Sequence, residues 1–279
     1  MPEQHNPPET SSITFSEPQI LVPRQEALYR EVLMELEGHR IPYAVSGAFA
    51  LREYTGISRM TKDLDIFLTA EDSLRALGYL RKRGFQCEVC DPVWLSKAHR
   101  DGYFVDLITG MSNAVLVVEP CWIERARPAT IVGIKTRVLA PEELLASKLF
   151  VTRRERFDGA DIAHIIYGTR GKIQWKHVSE LVGEHWEMLL WALLFFRYAY
   201  PAQTSYVPAS LWQDLLGRFS SDIAKDQPQA AFRGSLVDEN MFAIDLKEWG
   251  LENILEDYRS RRMAQIKKPK KAMRMKRAG

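Results

Sequence analysis

Thr61-Lys62-Asp63-Leu64-Asp65-Ile66-Phe67-Leu68 is the stretch on which the reading of this chain turns. In a β-strand successive side chains point to opposite faces, so Asp63 and Asp65 share one face while Leu64 and Ile66 share the other. Two carboxylates on one exposed face repel each other. A divalent cation between them removes the repulsion, and Mg²⁺ is held by one or two carboxylates together with phosphate oxygens. Taken alone, an Asp-x-Asp also reads as a solvated strand edge, so the surrounding sequence has to decide.

Upstream, Tyr43-Ala44-Val45-Ser46-Gly47-Ala48-Phe49-Ala50-Leu51 is an apolar strand that breaks at Ser46-Gly47-Ala48 into a helix-forming stretch. A small-residue turn feeding a helix N-terminus lets phosphate approach backbone N–H groups. Downstream, Tyr103-Phe104-Val105-Asp106-Leu107-Ile108 is β-rich with one acid embedded in it, a costly position for a carboxylate without a partner. Three acids on two strands make a candidate metal site.

Gly47-Ala48, Gly56, Arg59, Thr61, Asp63-Leu64-Asp65 and Asp106 together resemble the nucleotidyltransferase superfamily with the DNA polymerase β palm. The resemblance is to its minimal and AbiEii-like toxin members. It extends to Leu144-Leu145-Ala146-Ser147-Lys148-Leu149-Phe150 and the following Arg153 to Ile162, similar to the lysine-bearing helix and Arg/Asp segment of the AbiEii-like group. It covers residues 41 to about 166 and implies an α/β (α+β) fold: a mixed sheet flanked by helices, then a mainly helical C-terminal region.

The activity implied is transfer of a nucleoside monophosphate from an NTP to RNA, a protein or a small molecule, with two Mg²⁺ ions as cofactors. On that resemblance Asp63, Asp65 and Asp106 are the catalytic and metal-holding residues. Ser46, Gly47 and Ala48 offer backbone N–H groups to the terminal phosphates. The family's usual residue after the glycine is Gly or Ser, and Ala is a mild departure. Arg59 presents a fork of donors to phosphate, or is a surface arginine. Thr61 shapes the strand entrance. Lys148 reaches phosphate or pairs with Asp158 or Asp161, and Asp158 equally reads as a helix cap. Arg153, Arg154 and Arg156 contact phosphate or solvate their helix. Toxin-like members bring a cognate antitoxin as a further expected partner.

The 279 residues are 46% apolar and 27% charged, enough for a sizeable core. The expected organisation is a flexible arm over residues 1–22, a nucleotidyltransferase core over 23–140, a helical region over 141–258 and a basic, disordered tail over 259–279. That tail holds ten Lys or Arg and no acid, leaving 28 basic and 36 acidic residues before it. It could contact nucleic acid or simply keep the terminus solvated. Met188 to Phe196, the longest apolar stretch, is too short to span a bilayer. Met1-Pro2-Glu3-Gln4-His5 lacks the parts of a signal peptide, so the expected location is the cytoplasm with no membrane partner. Cys87, Cys90 and Cys121 are too few for a disulfide framework. In a strand, Cys87 and Cys90 face opposite ways, so they read as structural rather than zinc ligands.

Arg24 to Arg40 repeats its apolar residues at Leu28, Val32 and Leu36, an amphipathic helix ending before Pro42. Thr69-Ala70-Glu71-Asp72 reads as a capping box opening a helix to about Arg83, with Gly84 turning into the next strand. Ala114 to Glu119 and Ala129 to Leu139 read as further β-runs, and Pro141 opens a helix with Glu142 and Glu143 near its positive end. His164, Trp175, Trp186, Trp191 and Trp212, at helical spacing, read as core. A second function class is a non-catalytic nucleotide-sensing or nucleic-acid-binding module on the same fold. Three mutually repelling carboxylates argue for the enzyme, because binding alone gives no reason to keep them.

Overall fold

The computed structural model describes residues 21–268. Helix α1 (Pro23–Gly38) buries Leu28, Tyr29, Val32, Leu33 and Leu36, the stripe its periodicity predicts. Strand β1 (Ala44–Val45) runs through Ser46 into α2 (Gly47–Thr55), and β2 (Asp65–Phe67) returns antiparallel to β1. Helix α3 (Ala70–Lys82) starts where the capping box places it. Thr69 accepts the Asp72 backbone N–H at 3.2 Å, and its hydroxyl donates to the Asp72 carboxylate at 2.8 Å.

Strands β3 (Gln86–Asp91), β4 (Leu95–Arg100) and β5 (Tyr103–Ile108) form an antiparallel meander, and β5 lies parallel to β2. The sequence reading passed over β4 because Ser96-Lys97-Ala98-His99-Arg100 carries no apolar run. Its pairing on both sides, rather than its composition, makes it a strand. After α4 (Pro120–Glu124), β6 (Arg127–Ile131) and β7 (Ile134–Val138) make a hairpin, and β7 pairs parallel with β1. The sheet order is β3-β4-β5-β2-β1-β7-β6, seven strands of mixed direction.

Two expected β-runs differ from the observed chain. Ala129 to Leu139 is two strands, because Val132 and Gly133 take φ of 44° and 78° and turn it. Ala114 to Glu119 is a loop touching the sheet through one isolated bridge, Gly110 to Val117. Ala114 stands at φ 58°, and Asn113 accepts the Val115 N–H while donating to the Leu236 carbonyl. One local bond and one to the distant Leu236 thus hold the loop in place of the ladder that its Val and Leu would support.

Helix α5 (Pro141–Leu149) is buried on every side. Glu142 and Glu143 are fully inside the protein, where Arg125 bonds both, His177 bonds Glu143 and the Gln174 N–H bonds Glu142. The sequence placed these acids at the positive end of the helix, and the fold adds an arginine to hold them there. A short ribbon, β8 (Thr152–Arg153) and β9 (Arg156–Phe157), leads to α6 (Gly159–Gly168), α7 (Trp175–Val182), α8 (Trp186–Ala199) and α9 (Ala209–Ile223). Trp175 is core, but Trp191, expected there, is 42% exposed and packs at a tilt on Phe157.

Last come α10 (Gly234–Asp238), α11 (Ala243–Lys247) and α12 (Ile254–Lys267). The expected disordered tail therefore does not begin at residue 259. Residues 259–267 are helical, because Arg259 and Arg262 find acceptors on the sheet end. Residues 1–20 and 269–279, holding most of the expected arm and the end of the basic tail, lie outside the described residues. The fold is the mixed α/β sheet with helical C-terminal region that the sequence indicated. No helix among the described residues is long and apolar enough to cross a membrane.

Candidate active site

Asp65 opens β2, and the parallel register sets it directly beside Asp106 on β5. Asp63 lies two residues before Asp65 on extended chain rather than on the strand, yet the period holds. Oxygen atoms of Asp63, Asp65 and Asp106 all lie within 4.8 Å of one another. Leu64 and Ile66 face the other way and are fully buried, so the apolar half of the alternation anchors the acidic half. Thr61 stands at this entrance: its hydroxyl bonds the Asp63 carboxylate at 2.8 Å, and Gln25 from α1 holds the Thr61 carbonyl at 3.0 Å.

The three carboxylates have different surroundings. Burial, with Asp63 and Asp106 nearby, pushes Asp65 up to about 7 despite the opposing pull of Lys148 and Arg156. Burial also raises Asp106. Lys97 limits that rise by donating to its Oδ1 at 2.6 Å, with the ammonium 4.1 Å from the Phe104 ring centroid. Lys97 was missed in the sequence because its pairing with Asp106 is set by the register of β4 on β5. The partner that the embedded acid demanded comes from across the hairpin.

Gly47, the first residue of α2, has φ 58°, and a Cβ there would drive into the Asp65 carboxylate. Glycine is needed twice over, for the left-handed backbone and for the space. Ser46 precedes it, buried, donating its N–H to the Asp65 carbonyl at 2.9 Å, and Ala48 follows on the same turn. The helix N-terminus therefore opens beside the carboxylates, where its free N–H groups and dipole favour an anion.

Facing the acids is a network of alternating charge. Lys148 on α5 is 4% exposed and lies 2.8 Å from Asp158 and 2.7 Å from Asp161, so it takes both of the partners proposed for it. Arg59 grips Asp161 with two bonds of 2.9 Å, and Arg156 grips Asp158 at 2.9 and 3.0 Å. Burial alone would raise both aspartates, but these cations hold them below the usual carboxylate range. Asp158 heads α6 yet its side chain makes no capping bond, because Lys148 and Arg156 occupy it. Arg153 meets the Ser112 hydroxyl instead of solvating a helix.

Asp63, Asp65, Asp106, Ser46, Gly47, Ala48, Arg59, Thr61, Lys148 and Asp158 all line one cleft of about 280 Å³, joined by Arg153 and Arg156. Asp161 stands behind, holding Arg59 and Lys148. Three clustered carboxylates with only oxygen donors suit a hard divalent cation, and the raised Asp65 marks a site short of positive charge. A larger cavity of about 880 Å³ beside α3 and α12 contains none of these aspartates.

Several solved structures are similar to this chain. The antibiotic-resistance factor ANT(2'')-Ia is 15% identical over 64% of this chain and all of its own, with a TM-score of 0.44. The lincosamide antibiotic adenylyltransferase LnuA, solved with lincomycin, is 18% identical over 52% of this chain and 96% of its own, at 0.37. An antigenic nucleotidyltransferase-like protein from Paracoccidioides brasiliensis is 19% identical over 67% and 93%, at 0.42. No curated protein matches the chain. A family model described as uncharacterised nucleotidyltransferase matches residues 22–197, which spans the sheet, the three aspartates and the Lys148 network, and the chain belongs to that family.

Proposed function

We propose that the protein is a Mg²⁺-dependent enzyme that transfers a nucleoside monophosphate from an NTP to a hydroxyl of a second substrate. The observation that carries this reading is the convergence of three carboxylates on one side of a cleft and a helix N-terminus on the same edge. The acids would hold divalent cations, and the turn at Ser46-Gly47-Ala48 would receive the terminal phosphates. Bound Mg²⁺ would supply charge neutralisation at the attacking and leaving oxygens.

The acceptor oxygen forms a bond to the α-phosphorus while the bond to the bridging oxygen breaks, and pyrophosphate leaves. Asp106 takes the hydroxyl proton on Oδ2, since Lys97 occupies Oδ1. Arg156 lies on the cleft wall with most of its side chain in solvent, and its grip on Asp158 uses Nε and Nη2, which leaves Nη1 to meet phosphate oxygens. Arg59 and Lys148 keep that wall positive while being held by Asp158 and Asp161. From the resemblance to toxin enzymes we carry forward RNA or protein as acceptor and a neutralising partner protein. Growth after induced expression, with and without neighbouring genes, tests that part.

The central test is incubation with Mg²⁺ and each labelled NTP, with cellular RNA, protein or small-molecule extract as acceptor. Wild type should label an acceptor, and Asp63→Ala, Asp65→Ala and chelator should abolish labelling. Equal labelling in all samples would overturn the assignment. NTP binding that depends on these acids but yields no product would favour the sensing module.

A further inference from the structure

Beyond the acids, the same cleft has an apolar end whose order along the sheet is informative. Phe67 and Ile108 follow Asp65 and Asp106 by two residues, so they stand on the same sheet face one step further on, and both line the cleft. Gly47 lies at the opposite end, since β1 runs antiparallel to β2 and passes Asp65 before reaching it. Trp94 comes one step past Ile108: Leu95 pairs with Ile108, and the Trp94 carbonyl accepts the Thr109 N–H at 2.8 Å. From one end to the other the cleft presents a phosphate-type turn, the carboxylates, an apolar floor and a half-buried indole. That is the order of triphosphate, α-phosphorus, sugar and base in an NTP.

The indole is held in place from far away. Its Nε1–H donates to Asp91 at 3.1 Å, and Asp91 is gripped by both oxygens from Arg259 on α12, at 3.1 and 2.9 Å. The other arm of Arg259 bonds the Ser112 carbonyl at 2.7 Å, fixing the loop that brings Met111 and Ser112 to the cleft. Arg259 lies beyond residue 197, where the family match ends, whereas Trp94, Asp91 and Ser112 lie within it. A ring whose edge is tied by a hydrogen bond keeps its face in one plane, which suits it to stack on another planar ring.

We propose that Trp94 is the platform on which the NTP base stacks, and that Arg259 is the positioning residue that holds it there through Asp91. This subsite rests on the nucleotidyltransferase reading above, and inorganic tripolyphosphate, which has charge but no base, separates the two.

The experiment titrates the full chain, with Mg²⁺, against each NTP and against tripolyphosphate, for wild type, Trp94→Ala, Trp94→Phe and Arg259→Met. Trp94→Ala should weaken NTP binding about tenfold or more and leave tripolyphosphate binding unchanged, because base–aromatic stacking is lost while the phosphate end is intact. Trp94→Phe should retain most of the NTP affinity, and Arg259→Met should follow Trp94→Ala. Should Trp94→Ala fail to fold, Trp94→Phe still reports, because NTP, but not tripolyphosphate, should quench an indole signal that this variant lacks. Unchanged NTP affinity in Trp94→Ala overturns the subsite, as does an equal loss for NTP and tripolyphosphate in a folded variant. Wild type that binds neither ligand overturns the underlying reading instead.

Discussion

At the residue scale the candidate site sets three carboxylates close enough to disfavour one another, a repulsion that a cation would relieve. Asp65 carries the sharpest consequence. In the metal-free folded protein it keeps its proton up to about pH 7, whereas in the unfolded chain an aspartate lets go near pH 4. Between those values the folded state binds the extra proton, so stability from this group falls as pH rises. Melting with chelator should show a temperature that declines from about pH 5 to about pH 8, and Asp65→Asn should flatten that decline. Added Mg²⁺ should restore stability at the alkaline end and do little at the acid end, where the proton competes. Gly47 gives a second prediction. Gly47→Ala should cut labelling by at least about a hundredfold with little change in far-ultraviolet circular dichroism, because the new methyl displaces the Asp65 carboxylate. Wild-type rates in that variant would show that Asp65 can move aside at no cost.

At the scale of elements, α5 and α6 are joined by charge rather than by apolar contact alone. Lys148 sits between Asp158 and Asp161, and each acid has its own arginine. Lys148→Met removes the central cation and leaves two buried acids only partly compensated, at a cost of about 3 kcal/mol in urea unfolding. If instead the variant unfolds at the wild-type midpoint, the arginines alone hold the helices and Lys148 serves substrate only. The same scale explains what was legible locally. The helix at Thr69 was readable because its cap lies within four residues, and β5 because aromatic and branched apolar residues flank its one acid, Asp106. Strand β4 was not readable, since pairing on both edges decides it. The run around Ala114 misled because Asn113 ties that loop to α10.

At the scale of the whole molecule, α12 acts as a strut on the sheet that carries the candidate site. Arg259 on α12 and Asp91 are 168 residues apart in sequence, and Arg262 reaches the Thr109 carbonyl at 3.2 Å. A chain ending at Gly250 should keep its sheet, expose the loop around Ser112 to limited proteolysis and raise the KM for NTP more than it lowers kcat. Cleavage rates equal to the full chain would remove α12 from any part in the cleft. The sequence by itself set Asp63 and Asp65 on one face and broke the chain at the glycine turn, because each follows from a two-residue period or a local break that neighbours alone enforce, whereas the place of Asp106 beside them was an expectation that the pairing of β5 with β2 decides. It could name Lys148, Asp158 and Asp161 but not join them all in one network. Only the tertiary structure decided the partners: Lys97 for Asp106, Arg59 for Asp161 and Arg259 for the tryptophan hairpin. The reason is physical. A side chain's face is set by its own strand, but its neighbour across a ladder or beneath a distant helix is set by register and packing, which no local pattern records.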